Sequence, residues 1–174
     1  MLPDSERRRW LLEPFESVGP LRFGMRSEEV TAALGGIVRN PQRHTRVALS
    51  PDRYGTVKGE CWGLGLTFHY GLEERLRGIP ADALKGPQIY ADGVALAGRV
   101  PADLEQWIVD RSGIREPFSE LFYANLGEPG SRSLGVVIGV QRAGDCLLTR
   151  PVFLPAGAMD APVSFLPPEA WASH

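Results

Sequence analysis

Phe23-Gly24-Met25-Arg26-Ser27-Glu28-Glu29-Val30, running on through Thr31-Ala32-Ala33-Leu34 to Gly35-Gly36, decides how this chain is read. A glycine breaks a short alternating run. Ser27 then offers a cap, Glu28 and Glu29 suit the positive end of a helix, and the paired glycines stop it. Val30, Ala33 and Leu34 share one face, so the spacing predicts a helix from about Ser27 to Leu34 lying on a sheet.

Downstream, to Pro80, the period changes to two. His44–Leu49 and Thr56–Cys61 read as strands separated by a loop at 50–55. Leu64, Leu66, Phe68 and Tyr70 alternate with Gly65, Thr67 and His69, the clearest strand pattern in the chain, and Arg75–Ile79 follows as its hairpin partner. Upstream, Asp4–Leu12 reads as a short helix that Pro14 terminates.

The order then recurs. Gly98 leads into a helix with Pro101 in its first turn, carrying Leu104, Trp107, Ile108 and Val109, with Gly113 as its stop. Strands are predicted at Phe118–Leu126, Leu134–Gln141 and Cys146–Phe153, the last two joined through Ala143-Gly144-Asp145. Gly98 follows Gly24 by about 74 residues, a spacing that sets Leu104 on Val30 and Ile108 on Leu34. Leu64-Gly65-Leu66 matches Leu134-Gly135-Val136 after a small deletion. The expectation is an α+β fold, a tandem repeat of a helix plus antiparallel sheet module. Its segments are an N-terminal helix at 1–17, a first module at 18–80, a connector at 81–92, a second module at 93–154, and an irregular Pro/Ala-rich tail at 155–174.

The run from Phe23 to Val30, ending in Leu34-Gly35, resembles the helix start of the β-lactamase inhibitory proteins and of the small outer-membrane assembly lipoproteins. In those families a Gly-Met pair precedes a helix cap and the helix packs on an antiparallel sheet; the inhibitory proteins are also tandem repeats of such a module. The likeness is close over about ten residues and extends to the rest only in outline. Arg26 stands where the families carry a Thr cap, and Gly98-Arg99-Val100-Pro101 has no methionine. Both families are exported, whereas no signal peptide is visible here. The resemblance implies an architecture, and function has to come from a site.

Composition narrows the function classes. A net charge of −2 gives no electrostatic reason to bind nucleic acid or acidic lipid, and no apolar run approaches a membrane span. The basic run Arg7-Arg8-Arg9 is too short to alter that. Of 19 cationic residues only Lys58 and Lys85 are lysines, which reads as a bias toward GC-rich arginine codons. Cys61 and Cys146 make no disulfide framework, and cytoplasmic residence is expected.

No catalytic set emerges. Cys61 and His69 are a Cys–His pair close in sequence, read as a half-buried thiol and a solvent-facing sheet histidine. His44, His69 and His174 lack zinc-ligand spacing, Gly63-Leu64-Gly65 lacks the rest of a phosphate loop, and Glu28-Glu29 and Glu73-Glu74 point apart. No metal or cofactor is expected. The remaining candidates are Tyr54, Trp62, His69 and Tyr123, placed near strand ends, in loops, or on the face opposite the apolar stripe, where aromatic side chains anchor protein interfaces. The leading expectation is a non-catalytic domain of immunity or inhibitor type that binds another protein; the alternative is a small-molecule-binding or enzymatic domain with a pocket near Cys61 and His69.

Overall fold

The computed structural model describes residues 3–38, 43–47, 56–71, 73–114, 120–124 and 127–171. It is α+β, built on two sheets dominated by antiparallel pairing.

The smaller sheet comprises β1 (Arg9–Glu13), β2 (Ser17–Val18), β3 (Leu21–Arg22), β8 (Gln88–Ala91) and β9 (Val94–Ala95), in the order β3-β2-β1-β8-β9. Its one parallel contact pairs Arg9, Trp10 and Leu11 with Gln88, Ile89 and Tyr90. Here the structure departs from the helix expected over 4–12. Only a 3₁₀ turn forms, at Asp4–Glu6, and residues 9–13 then alternate exposed and buried, with Trp10 and Leu12 inward. A period of two with two large apolar side chains fits a strand against a core better than a short helix. The connector expected over 81–92 likewise contains β8, whose Ile89 is wholly buried.

Among the described residues the larger sheet has eight strands. Helix α1 (Ser27–Gly35) is followed by β4 (Arg43–Val47), β5 (Thr56–Cys61), β6 (Leu66–Tyr70) and β7 (Leu76–Pro80). Helix α2 (Pro101–Ile114) is followed by β10 (Leu121–Ala124), β11 (Glu128–Ser131), β12 (Val136–Ala143) and β13 (Cys146–Phe153). The order β10-β11-β12-β13-β7-β6-β5-β4 makes two antiparallel meanders that meet at β13 and β7. Strand β11 was hidden from sequence reading by its composition, Glu-Pro-Gly-Ser, which favours turns. Gly113 lies within α2 instead of stopping it.

The two helix starts are held alike. Gly24 and Gly98 both adopt positive φ, 84° and 68°, three residues ahead of Ser27 and Pro101. Gly24 donates its N–H to the Leu76 carbonyl while Leu76 donates to Met25; Gly98 donates to Thr149 while Thr149 donates to Arg99. In α1 the helix cap is Arg26, whose N–H reaches the Glu29 carboxylate at 2.6 Å.

Val30 and Leu34 of α1, Leu104 and Ile108 of α2 and the inward residues of the smaller sheet pack on one face of the large sheet, against Phe68, Tyr70, Val136 and Ile138. The opposite face has its own cover, contrary to the irregular surface tail expected. Residues 155–171 form a 3₁₀ turn at Ala156–Ala158, one helical turn at Pro162–Phe165 and a 3₁₀ turn at Pro168–Ala170. They bury Ala158, Met159, Leu166 and Ala170 against Val137, Val152 and Leu154. Leu166 sits against Gly78, and Arg77 lies 3.9 Å from the centre of the Phe165 ring. Among the described residues no helix is long and apolar enough to cross a membrane.

Candidate binding pocket

The C-terminal cover extends over β13 and β7 and leaves a pocket beside β5 and β6. This pocket, about 180 Å³, is lined by Lys58, Glu60, Cys61, Trp62, Gly65, Leu66, Thr67, Pro80, Asp82, Lys85, Arg150 and Glu169. Strand register explains the floor. Lys58 lies directly across from His69, and Glu60 from Thr67, so these four side chains share the face away from the helices.

One wall is a tight loop at 82–86. The Asp82 carboxylate accepts the N–H groups of Leu84 and Lys85, each at 2.8 Å, and its second oxygen accepts from the Gln141 amide at 2.9 Å. Gln141 also accepts the Ala83 N–H. Behind the loop lies Arg7, with 5% of its surface exposed, donating to the carbonyls of Gly86, Ala97 and Ala83. The basic run that looked inert in the sequence thus supplies the loop's buried anchor. Gly65 completes the join: it has φ 57°, and a Cβ there would stand 2.7 Å from the Gly86 nitrogen. The pocket wall is therefore held by side-chain-to-backbone hydrogen bonds and close packing.

Trp62, in the 3₁₀ turn Trp62–Leu64, is 72% exposed at the rim. Arg150 is buried, and one of its nitrogens donates to the Ala170 carbonyl at 2.8 Å. Burial lowers its pKa, and the fields of Asp82 and Glu128 oppose that effect. Within the pocket Lys58 and Glu60 form an ion pair at 2.6 Å.

The sequence-derived candidates are scattered. Trp62 lines the pocket. His69 is 1% exposed instead of solvent-facing, because the C-terminal segment covers its face of the sheet. Neither ring nitrogen has a hydrogen-bond partner among the described residues, and burial, reinforced by Lys58 and Arg150, drives the imidazole pKa down to about 3. Tyr123 is 56% exposed at the far edge of the sheet, on β10, where its hydroxyl donates to Glu105 at 2.9 Å. Tyr54 lies outside the described residues.

Cys61 and His69 do not make a nucleophile and base. The thiol is buried in the main core, on the opposite side of the strands from the imidazole, and desolvation raises its pKa despite the N–H groups of Leu64 and Gly63. Among the described residues no three His, Cys, Asp or Glu side chains gather as a metal site. The buried Glu120, bonded by Arg111, Ser131 and Ser133, is a saturated cluster that ties α2 to β11. The pocket-lining lysines and Arg150 were missed in the sequence; the rarity of lysine was the one available signal.

No protein-family model, curated protein sequence or solved structure matches this chain.

Proposed function

We propose that this chain is a non-catalytic protein-binding domain of immunity or inhibitor type, whose contact surface centres on Trp62. One observation carries the reading: a tryptophan 72% exposed on a turn braced from behind by the Gly65–Gly86 packing. A rigid, projecting indole loses little conformational freedom on docking and fills a partner's pocket, which makes tryptophan a frequent hot spot. The volume of the adjoining pocket, about 180 Å³, is below the roughly 300–1,000 Å³ of sites for drug-sized ligands, which favours a surface role for the rim.

We also propose that the chain is a tandem repeat of a helix plus sheet module. The matched hydrogen bonds at Gly24 and Gly98, and the helix-then-meander order on each side of the β7–β13 seam, support it. At the corresponding end of the second meander, Arg132 donates to the Met159 carbonyl and stacks 4.9 Å over Phe122. The two halves have then diverged, and the binding surface belongs to the first.

The test is a capture experiment from the source cell with the full chain and with Trp62→Ala, an exposed position whose substitution leaves the core intact. A stoichiometric protein held by the wild type and lost by the variant supports the reading. Recovery of no stoichiometric partner overturns it. The second reading, a small-molecule-binding domain, is favoured by the pocket itself, which opens between the sheet and the C-terminal segment beside Cys61.

A further inference from the structure

The pocket brings together charges of both signs, of which only some are paired with each other. Three cationic side chains, Lys58, Lys85 and Arg150, and three carboxylates, Glu60, Asp82 and Glu169, line it. Lys58 and Glu60 are paired, and Asp82 is consumed by the loop's N–H groups and Gln141. Lys85 and Glu169 project from two different segments, and neither has a side-chain partner among the described residues. Arg150 adds a desolvated cation against the C-terminal cover. The Thr67 hydroxyl also lines the pocket, with no partner among the described residues.

This chain meets nearly all its need for positive charge with arginine. Both lysines of the chain fall at this pocket, Lys58 paired with Glu60 and Lys85 without a side-chain partner among the described residues. A lysine ammonium is a compact charge with three donors that a carboxylate can meet from any direction.

We propose that the pocket binds a small zwitterion, a free α-amino acid, with its carboxylate at Lys85 and Arg150 and its ammonium at Glu169 and Thr67. Trp62, Leu66 and Pro80 provide apolar contact for the side chain. The volume, about 180 Å³, suits a molecule of that size and not a nucleotide. A plain dianion such as phosphate is disfavoured by the carboxylates on the same walls, since like charges in a partly desolvated site repel. This inference is independent of any protein partner, and the Trp62 capture experiment leaves it untouched either way.

The experiment is a thermal-shift screen of the full chain against each standard amino acid, followed by calorimetric titration of any that binds. Matched analogues lacking the amino group or the carboxyl group are titrated alongside. The expected result is one or more amino acids that raise the melting temperature, with both analogues at least about tenfold weaker. Glu169→Gln should weaken the amino acid about tenfold and bind the deaminated acid at least as well as the wild type does, since a repelling carboxylate is removed. Lys85→Ala should weaken the amino acid and the deaminated acid but not the decarboxylated amine. Both positions are exposed, so the variants keep the fold. No binding by any amino acid at about 10 mM overturns the proposal. Deaminated acid or inorganic phosphate binding as well as the amino acid also overturns it, because the pocket would then be a simple anion site.

Discussion

Ile79 and Phe153 lie directly opposite each other where β7 meets β13, both wholly removed from solvent. They are separated in sequence by as many residues as Gly24 and Gly98. This one short seam joins two four-stranded meanders into a single sheet, so both halves draw stability from the same few side chains.

Phe153→Ala should therefore destabilise the whole chain. Loss of a buried ring with incomplete collapse costs about 3–5 kcal/mol, and Ile79→Val about 0.5–1.5 kcal/mol. Urea unfolding followed by far-UV circular dichroism and by tryptophan fluorescence should show coincident transitions for the wild type. Separate transitions by the two probes would mean that the halves unfold on their own.

Acid should weaken the fold through His69. Its folded pKa of about 3 lies below the usual 6.5, so between these values the unfolded chain binds a proton that the native chain refuses. Stability from this residue is complete above about pH 6.5 and falls as pH drops toward 3, at up to about 1.4 kcal/mol per pH unit. His69→Leu should flatten the pH dependence of the urea midpoint over that window. An unchanged slope would mean that other groups set it.

Arg7 should be far more important than its neighbours. Truncating it to Ala leaves the carbonyls of Gly86, Ala97 and Ala83 without its hydrogen bonds, at a cost of about 3 kcal/mol or more, whereas Arg8→Ala should stay within about 0.5 kcal/mol. Hydrogen exchange at the Leu84 and Lys85 amides should accelerate in Arg7→Ala if the loop depends on this anchor.

Gly65→Ala combines a left-handed backbone with a collision at the Gly86 nitrogen, and should cost about 1–3 kcal/mol. Unchanged stability, measured by thermal melting, would mean that the 82–86 loop yields freely.

The two thiols should separate cleanly under alkylation near neutral pH. Cys146 is exposed in the β12–β13 hairpin and should react within minutes; Cys61 is buried with its pKa raised and should react only on unfolding. Peptide mass spectrometry after a short iodoacetamide pulse reads both, and rapid modification of Cys61 would show that its core opens.

Local signals in the sequence placed both helices and most strands of the large sheet. Val30 and Leu34, and then Leu104 and Ile108, are the residues each helix buries, and Leu66, Phe68 and Tyr70 face the core as their alternation requires. Trp62 was recognised as a surface aromatic for the same reason: it falls just after a strand, beside a glycine turn. Strand β1 was mistaken because five residues are too few to separate the two periods without knowing that β8 lies alongside.

Periodicity and turn chemistry, which act within a few residues, were enough to determine an α+β chain of antiparallel strands with a helix set before each meander. Tertiary structure alone decided that the outer face of the sheet would be covered by residues 155–171, that His69 would be buried under them, and that Lys58, Lys85 and Arg150 would surround one pocket. Those outcomes rest on contacts between segments far apart in sequence, such as Arg7 with Gly86 and Arg150 with Ala170. Nothing in a local pattern encodes such contacts; they form because each buried donor and apolar side chain must find its partner in the same packed interior.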